Sequence, residues 1–127
     1  MENLLDIILV SIGAILGANL RFLIYRKLEK IQLKKDLIIL LINIFSSFLL
    51  GLFFSILPDI SFATDYYQFG LFFSIGFIGS LSTFSTFIYD LFELFTQSKF
   101  NRSFNIFIIS LTMGMAGLVF GLLLGKQ

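Results

Sequence analysis

The chain has 127 residues, of which 57% are hydrophobic and 13% are charged. A soluble domain averages about 25% charged residues, so this composition leaves too little polar surface for a water-soluble globule and predicts an integral membrane protein. The sequence contains no cysteine and no histidine, which excludes disulfides, the ordinary zinc and haem sites and a Ser-His-Asp triad. The formal net charge of +1 excludes a strongly basic nucleic-acid-binding protein, so we expect no nucleic-acid partner.

Four apolar segments are each long enough to cross a bilayer as a helix, which needs about 20 residues. These predicted spans cover residues 4–25, 37–57, 66–95 and 104–124. The connections between them are short and leave no soluble domain, so residues 1–127 form a single membrane domain. We therefore predict an all-α, four-helix integral membrane subunit surrounded by the lipid bilayer.

The basic residues are strongly biased to one side of this predicted domain. Eight of the nine lie near the end of span one or in the first and third connections: Arg21, Arg26, Lys27, Lys30, Lys34, Lys35, Lys99 and Arg102. The ninth, Lys126, lies on the other side with both termini. Because positively charged connections stay in the cytoplasm, we expect one fixed orientation with the termini outside, and a multi-pass location in the plasma membrane.

Spans one and four carry small residues at helical spacing. In span one, Gly13, Gly17 and Arg21 are four residues apart. Span four has a similar row near one face: Ser110, Gly114, Gly117, Gly121 and Gly125. Small residues allow helix backbones to approach closely, so the pattern predicts a tight bundle with an intermolecular interface. Four short helices leave little room for a pore inside one chain.

Span two carries a row of polar and small residues at every fourth position: Asn43, Ser47, Gly51 and Ser55. An amide at membrane depth needs a hydrogen-bond partner, because its burial without one is costly. Two interpretations stay open at this point. The amide could form an interhelical hydrogen bond that stabilises the bundle, or it could belong to a polar lining for a permeating species.

Span three contains the most specific local pattern, the run GFIGSLSTFSTF at residues 76–87. Two glycines and five hydroxyl-bearing residues in an apolar span predict a break in the helix near residues 76–83. Irregular backbone at membrane depth occurs only where protein, water or an ion satisfies its carbonyls, and exposed carbonyls at 79–82 suit a hard cation, which takes oxygen ligands. The alternative is a bent helix whose hydroxyls bond to the preceding turn.

Two phenylalanines of the same run, Phe84 and Phe87, lie three residues apart and share a helix face. Aromatic ring edges carry a positive partial charge. Two edges aimed into a narrow pore could therefore replace water around a small anion. The alternative is that both rings face lipid or the core.

Together these patterns resemble the Fluc/CrcB family of fluoride channels, and the resemblance covers essentially the whole chain. The matching residues are Gly13-x-x-x-Gly17-Ala18-x-x-Arg21-Phe22, Asn43-x-x-Ser46-x-Phe48-x-x-Gly51 and the run at residues 76–87. The resemblance implies an antiparallel dimer of four-span subunits with a broken third helix and two fluoride pores along the interface. Fluoride would leave the cytoplasm passively, which limits its toxicity, and no enzyme class applies.

The residues that match the family's fluoride pore are Asn43, Phe84, Ser85, Thr86, Phe87 and Ser110. The two rings would line the pores, the amide would donate near one ring, and the hydroxyls would belong to polar tracks. The resemblance also implies a structural Na⁺ at the dimer centre, held by backbone carbonyls that match those of Gly79 and Ser82.

Two charged residues match family positions outside the pore. Arg21 matches an arginine near the wide aqueous vestibule, although snorkelling at a helix end would also explain it. Asp90 takes the place of a carboxylate after the phenylalanine motif, and the alternative is an ordinary interfacial charge.

The sequence departs from the family pattern at three positions. Ser80 stands where glycine is common, which would matter if that position needs a positive φ. Ser82 stands where threonine is common, with little effect expected if the ligand is a carbonyl. The family's pore tyrosine in span four has no counterpart; its nearest match is Ile106, so one polar track of a homodimer could be impaired.

The charge bias adds an expectation about assembly. Single-gene members of the family resemble dual-topology proteins with little Lys/Arg bias, whereas some relatives are pairs of oppositely biased paralogues. The eight-to-one bias of this chain leads to the hypothesis that it is one half of such a heterodimer.

Two other functions compete with a channel. A proton-coupled exporter needs an ionisable residue deep in a span, whereas Asp6, Asp90 and Glu93 lie near the span ends. A membrane scaffold subunit would need neither a polar track nor a broken third span.

Overall fold

In a computed structural model, the structure describes residues 2–56, 68 and 70–126. Their elements are helices, and no strand occurs among them: α1 (Glu2–Lys30), α2 (Lys35–Ile56), α3 (Leu71–Ile78), α4 (Gly79–Leu81), α5 (Ser85–Thr96) and α6 (Phe100–Gly125). Four helical segments within these residues are long and apolar enough to cross a membrane: Leu4–Lys30, Lys35–Ile56, Leu71–Thr96 and Phe100–Gly125. The prediction of an all-α chain with four membrane-spanning helices is confirmed.

The first two helices extend past the predicted apolar spans. Helix α1 continues to Lys30, with Lys27 and Lys30 in its last turn, where cations interact favourably with the helix dipole. Helix α2 begins at Lys35, and the Asp36 carboxylate accepts the Leu37 N–H at 2.9 Å. Between these helices Gln32 adopts φ 67°, which turns the chain. The span limits predicted at residues 57 and 66 lie outside the described residues.

Helix α1 packs against α3 through two glycines. A Cβ added to Gly13 would lie 2.5 Å from the carbonyl oxygen of Phe72 and 3.1 Å from the Cα of Gly76. A Cβ added to Gly76 would lie 2.7 Å from the carbonyl oxygen of Val10. The two backbones therefore touch directly, and the prediction of close helix packing is confirmed for span one.

Helix α2 packs against α6 in the same way. A Cβ at Gly121 would collide with the carbonyl oxygen of Phe48 and lie 2.8 Å from the Leu52 nitrogen. A Cβ at Gly51 would collide with the carbonyl oxygen of Leu118. The bundle thus consists of two helix pairs, α1 with α3 and α2 with α6, each joined by backbone contact.

The third span changes its backbone conformation along its length. Helix α3 is wound as a π-helix, and the Gly79 N–H donates to the carbonyl oxygen of Ser74, five residues earlier. Helix α4 follows, and then Ser82 takes an extended conformation, with φ −75° and ψ 161°. Helix α5 begins three residues later, at Ser85.

Ser80 lies in the helical stretch before this extended residue. Among the described residues other than glycine, a positive φ occurs only at Gln32 and Ser98. Because Ser80 does not adopt a positive φ, a serine at this position causes no backbone strain and glycine is not required there. The Ser80 hydroxyl donates to the carbonyl oxygen of Phe77 at 3.1 Å and lies against Gly17.

The buried apolar side chains lie where α2 meets the third span: Ile38, Ile39, Ile42, Ile78 and Leu81. Most other large apolar side chains of the described residues are exposed. Lipid tails are as apolar as leucine, so an exposed apolar surface is the expected exterior of a membrane-spanning bundle.

A candidate pore groove between the second, third and fourth spans

A groove of about 430 Å³ runs between α2, the segment around Ser82–Phe87 and α6. Its lining is Asn43, Ser47, Leu50, Ser82, Thr83, Phe84, Phe87, Phe107, Ser110, Leu111, Gly114, Met115 and Leu118. We call this cavity the pore groove. It brings together four residues that the sequence assigned to a fluoride pore: Asn43, Phe84, Phe87 and Ser110.

The Asn43 side chain holds the backbone of Thr83. Its Nδ2 donates to the Thr83 carbonyl oxygen at 3.0 Å, and its Oδ1 accepts the Thr83 N–H at 2.9 Å. Thr83 lies between α4 and α5 and is 6% exposed, so without this amide both of its backbone groups would be costly to bury. The interhelical hydrogen bond proposed for span two is confirmed. One further N–H of the Asn43 amide remains for another acceptor.

Thr83 also starts the next helix. Its Oγ1 accepts the Thr86 N–H at 3.3 Å and donates to Thr86 Oγ1 at 3.1 Å. A hydroxyl that accepts the N–H three residues later is the usual N-cap arrangement. The sequence analysis gave Thr83 no role, and the residue three positions later is Thr86 rather than the Glu or Gln of a capping box, so the sequence carried no clear signal for this cap.

The two phenylalanines follow directly from this cap. Phe84 is 76% exposed in the single chain and Phe87 is partly buried. The carbonyl oxygen of Phe84 accepts the Ile88 N–H at 2.9 Å, so the first helical turn begins at this residue. Both rings thus lie on a turn whose position depends on the Asn43–Thr83 hydrogen bonds.

The hydroxyls of the third span bond in two directions. Ser80 and Ser82 donate to carbonyl oxygens three residues earlier, those of Phe77 and Gly79, as the bent-helix interpretation predicts. Thr83 instead bonds forward to Thr86. The change of direction coincides with the extended backbone of Ser82.

Arg21 reaches across from α1 to the third span. Its Nη1 donates to the carbonyl oxygen of Ser82 at 3.1 Å in a partly buried setting. The Ser82 hydroxyl donates to the carbonyl oxygen of Gly79 at 3.2 Å. The two carbonyls predicted as sodium ligands thus each accept a side-chain hydrogen bond from a described residue.

A second cavity, of about 210 Å³, lies where α2 begins, and it is charged. Its lining is Lys34, Lys35, Asp36, Asp90, Glu93, Leu94, Gln97 and Arg102. Arg102 Nη2 donates to Asp36 Oδ2 at 2.9 Å. Lys35 Nζ lies 3.6 Å from Asp90 Oδ1 and 5.1 Å from the centre of the Tyr89 ring. Asp90 is 7% exposed, and its carboxylate forms no hydrogen bond with any described residue.

Two predicted pore residues, Ser85 and Thr86, do not belong to the lining of the pore groove among the described residues. Ile106, the nearest match to the family's pore tyrosine, does not belong to it either. Ser85 is exposed on the first turn of α5, and Thr86 is bonded to Thr83. Phe107, one residue after Ile106, is part of the lining and was not singled out by the sequence.

Comparison with known proteins identifies the family. The model of the CrcB-like protein family, Camphor Resistance (CrcB), matches residues 8–122. A protein from Prochlorococcus marinus (strain NATL2A), named fluoride-specific ion channel FluC 2, is 55% identical over 122 residues, covering 96% of this chain and 98% of its own.

Two further relatives are more distant. The fluoride-specific ion channel FluC of Ruminiclostridium cellulolyticum is 30% identical over 127 residues, covering 99% of this chain and 96% of its own. The fluoride-specific ion channel FluC 1 of Parasynechococcus marenigrum is 33% identical over 120 residues, covering 94% and 93%. The family model and the relatives match along almost the whole length, and this chain belongs to the CrcB family.

Proposed function

We propose that this chain is a subunit of a fluoride-selective channel that lets fluoride leave the cytoplasm passively. The observation that carries the proposal is the pore groove, in which an amide, two aromatic rings and a hydroxyl meet at Asn43, Phe84, Phe87 and Ser110. The names of the CrcB relatives support fluoride as the ion.

Fluoride is small and strongly hydrated, so a selective pore must replace its water with donors. In the pore groove these donors are the remaining N–H of Asn43, the Ser110 hydroxyl and the ring edges of Phe84 and Phe87. Ser85 and Thr86 extend the polar track on the adjoining turn. Selectivity against chloride follows from narrowness combined with strong donors.

In this proposal the third helix is functionally broken between α4 and α5. The extended backbone of Ser82 and the Asn43 hydrogen bonds to Thr83 support the break, because they replace helical partners at membrane depth. The break starts a new helix at the phenylalanine pair. It also takes the carbonyl oxygens of Gly79 and Ser82 out of the regular helical ladder, since they accept hydrogen bonds from the Ser82 hydroxyl and from Arg21.

We assign a structural Na⁺ to the carbonyl oxygens of Gly79 and Ser82. Each oxygen accepts one hydrogen bond and keeps a second lone pair, so both can bind a hard cation. One chain supplies only half of a site, and a second chain would double the ligands. When bound, the ion would add positive charge near the pores. Exchanging Na⁺ for a large organic cation should lower the thermal stability of the assembly.

The functional unit in this proposal is an antiparallel dimer. Ser85 is exposed beside a groove that contains the polar side chains of Asn43 and Ser110, and lipid tails cannot satisfy such polar groups. A second subunit of opposite orientation would close the groove into a pore. The bias of basic residues favours one orientation for this chain, with termini outside the plasma membrane, and an oppositely oriented paralogue as partner. Relatives named FluC 1 and FluC 2 are consistent with such pairs.

The first experiment is fluoride efflux from liposomes that contain the purified chain, with chloride as the control ion. Fluoride-selective, voltage-driven efflux would support the channel and show that the chain conducts alone. If efflux requires an oppositely biased paralogue, the heterodimer is supported. If the mixture of both chains is also inactive, the channel proposal is wrong.

The phenylalanine pair provides a sharper test with a control on the same helix. Phe84→Ile and Phe87→Ile should each reduce fluoride efflux by about tenfold or more, a barrier increase of about 1.4 kcal/mol, because they remove a ring edge. Phe92→Ile changes an exposed ring of α5 outside the groove and should leave efflux unchanged. Equal effects of all three changes would contradict the assignment.

One observation favours a second candidate, a proton-coupled exporter. Asp90 lies on α5 with a buried carboxylate that no described residue hydrogen-bonds. Although Asp90 lies near the end of the third span, a buried carboxylate can bind and release a proton. Asp90→Asn should abolish transport by an exporter and leave fluoride efflux through a channel largely intact, so this variant separates the two functions.

A further inference from the structure

The wall of the pore groove formed by α6 carries an aromatic ring of its own. Phe107 lines the groove together with Ser110, Leu111 and Gly114. Relative to Phe107 the other three lie at i+3, i+4 and i+7, so the four residues form one helix face. Ile106 lies about 100° around the helix from Phe107, the rotation per residue of an α-helix, and does not belong to the groove lining.

The same wall lies against α2, the helix that carries Asn43. A Cβ added to Gly114 would lie 3.7 Å from Ser47 Oγ, so α6 comes close to α2 at this level without side-chain bulk between them. Phe107 lies about two turns before Gly114 on the same face. The groove therefore has a phenylalanine on the α6 side and two on the α5 side, with Asn43 between the two walls.

We propose that Phe107 is a third pore aromatic, whose ring supplies a second anion contact from the α6 side, in addition to the Ser110 hydroxyl. The inference rests on the proposed channel function. A phenylalanine has no hydroxyl, so the contact it offers is its ring edge, which carries positive partial charge. Phe107 lies one residue after Ile106, which is the nearest match in the sequence to the family's pore tyrosine.

The chain contains a matched control for this residue. Phe104 lies three residues earlier on α6, is also exposed, at 64% compared with 42% for Phe107, and does not belong to the groove lining. Phe104→Leu and Phe107→Leu therefore make the same chemical change on the same helix. The two residues differ in whether they line the groove, and Phe104 is the more exposed of the two.

The test is fluoride efflux from liposomes containing the conducting assembly, with wild type measured in parallel. Phe107→Leu should reduce the fluoride rate by about tenfold, and Phe104→Leu should remain within about twofold of wild type. Phe107→Met, which keeps the volume and flexibility of an apolar side chain, should reduce the rate as Phe107→Leu does. It provides the test if the leucine variant fails to fold.

The outcomes are distinct. If either Phe107 variant conducts within about twofold of wild type, Phe107 is not a pore aromatic, and the channel function is unaffected. If Phe104→Leu loses as much flux as Phe107→Leu, the effect comes from the helix surface and the assignment is wrong. A wild-type assembly without fluoride efflux would overturn the channel function and this assignment together.

Discussion

Helix α2 is linked to the third span by two polar contacts of opposite character. At Asn43 a neutral amide forms two hydrogen bonds, of 2.9 and 3.0 Å, with one backbone residue. At Lys35 a charged ammonium lies 3.6 Å from a carboxylate oxygen of Asp90, beyond hydrogen-bond distance. The first contact lies in the middle of α2 and the second at its beginning.

The difference shows how position along the span determines which interaction is useful. Within the apolar span, backbone groups outside a helix need partners with defined geometry, and a neutral amide provides both N–H donors and a carbonyl acceptor. At the helix end the Lys35 side chain is 49% exposed, so water weakens the charge attraction and relaxes its geometry. We therefore expect the uncharged contact to contribute more to stability than the charged one.

The largest effect is expected for Asn43→Leu. This change keeps approximate side-chain size but leaves the N–H and carbonyl of Thr83 unpaired, which should lower the free energy of unfolding by about 1–3 kcal/mol. Asn19→Leu is the matched control, because the Asn19 amide bonds only to Ile15 of its own helix. Unfolding in detergent measures both. If the two variants lose the same free energy of unfolding, the hydrogen bonds to Thr83 do not stabilise the fold more than the bond within α1 does.

An intermediate effect is expected for Thr83→Val, which preserves shape and removes the hydroxyl that caps α5. The loss should be about 1 kcal/mol, a typical value for an N-cap, and fluoride efflux should fall because the phenylalanine pair follows the cap. Thr112→Val is the control, since the Thr112 hydroxyl bonds to Ile108 within α6. A Thr83 variant with unchanged stability and efflux would show that Asn43 alone positions this turn.

The smallest effect is expected for Asp90→Asn. A buried carboxylate without hydrogen bonds gains little from a partly exposed lysine, so removing its charge should change stability by less than about 0.5 kcal/mol in either direction. Asp36→Asn breaks the hydrogen-bonded pair with Arg102 and should cost slightly more. A large loss for Asp90→Asn, measured in the same unfolding experiment, would reverse the ranking of the two α2 contacts.

Much of this architecture follows from local patterns. The length of the apolar segments predicted four helices, and the glycines at positions 13 and 121 predicted contacts that the structure shows to be backbone against backbone. The helices extend further than the apolar spans, because charged residues such as Lys30 and Asp36 continue a helix where it meets water. The length of an apolar segment therefore does not predict the residues at which the helix begins and ends.

The site was less predictable, because its contacts join distant parts of the chain. Asn43 could be recognised as an amide in need of a partner, but the backbone of Thr83, 40 residues away, could not be identified as that partner from spacing. The groove-lining residues of α6 were also not predictable from spacing alone. A shift of one residue, from Ile106 to Phe107, changes which side chain lines the groove, and only the rotation of α6 against α2 determines it.

The start of α5 has an electrostatic consequence. Ser85 lies near the middle of the span from Leu71 to Thr96, so a helix begins there rather than at the membrane surface. The aligned peptide dipoles of a helix amount to about half a positive charge at its N-terminus. The twelve residues of α5 therefore place a positive potential beside the groove, deep in the span, in addition to the charge that Arg21 brings to the Ser82 carbonyl.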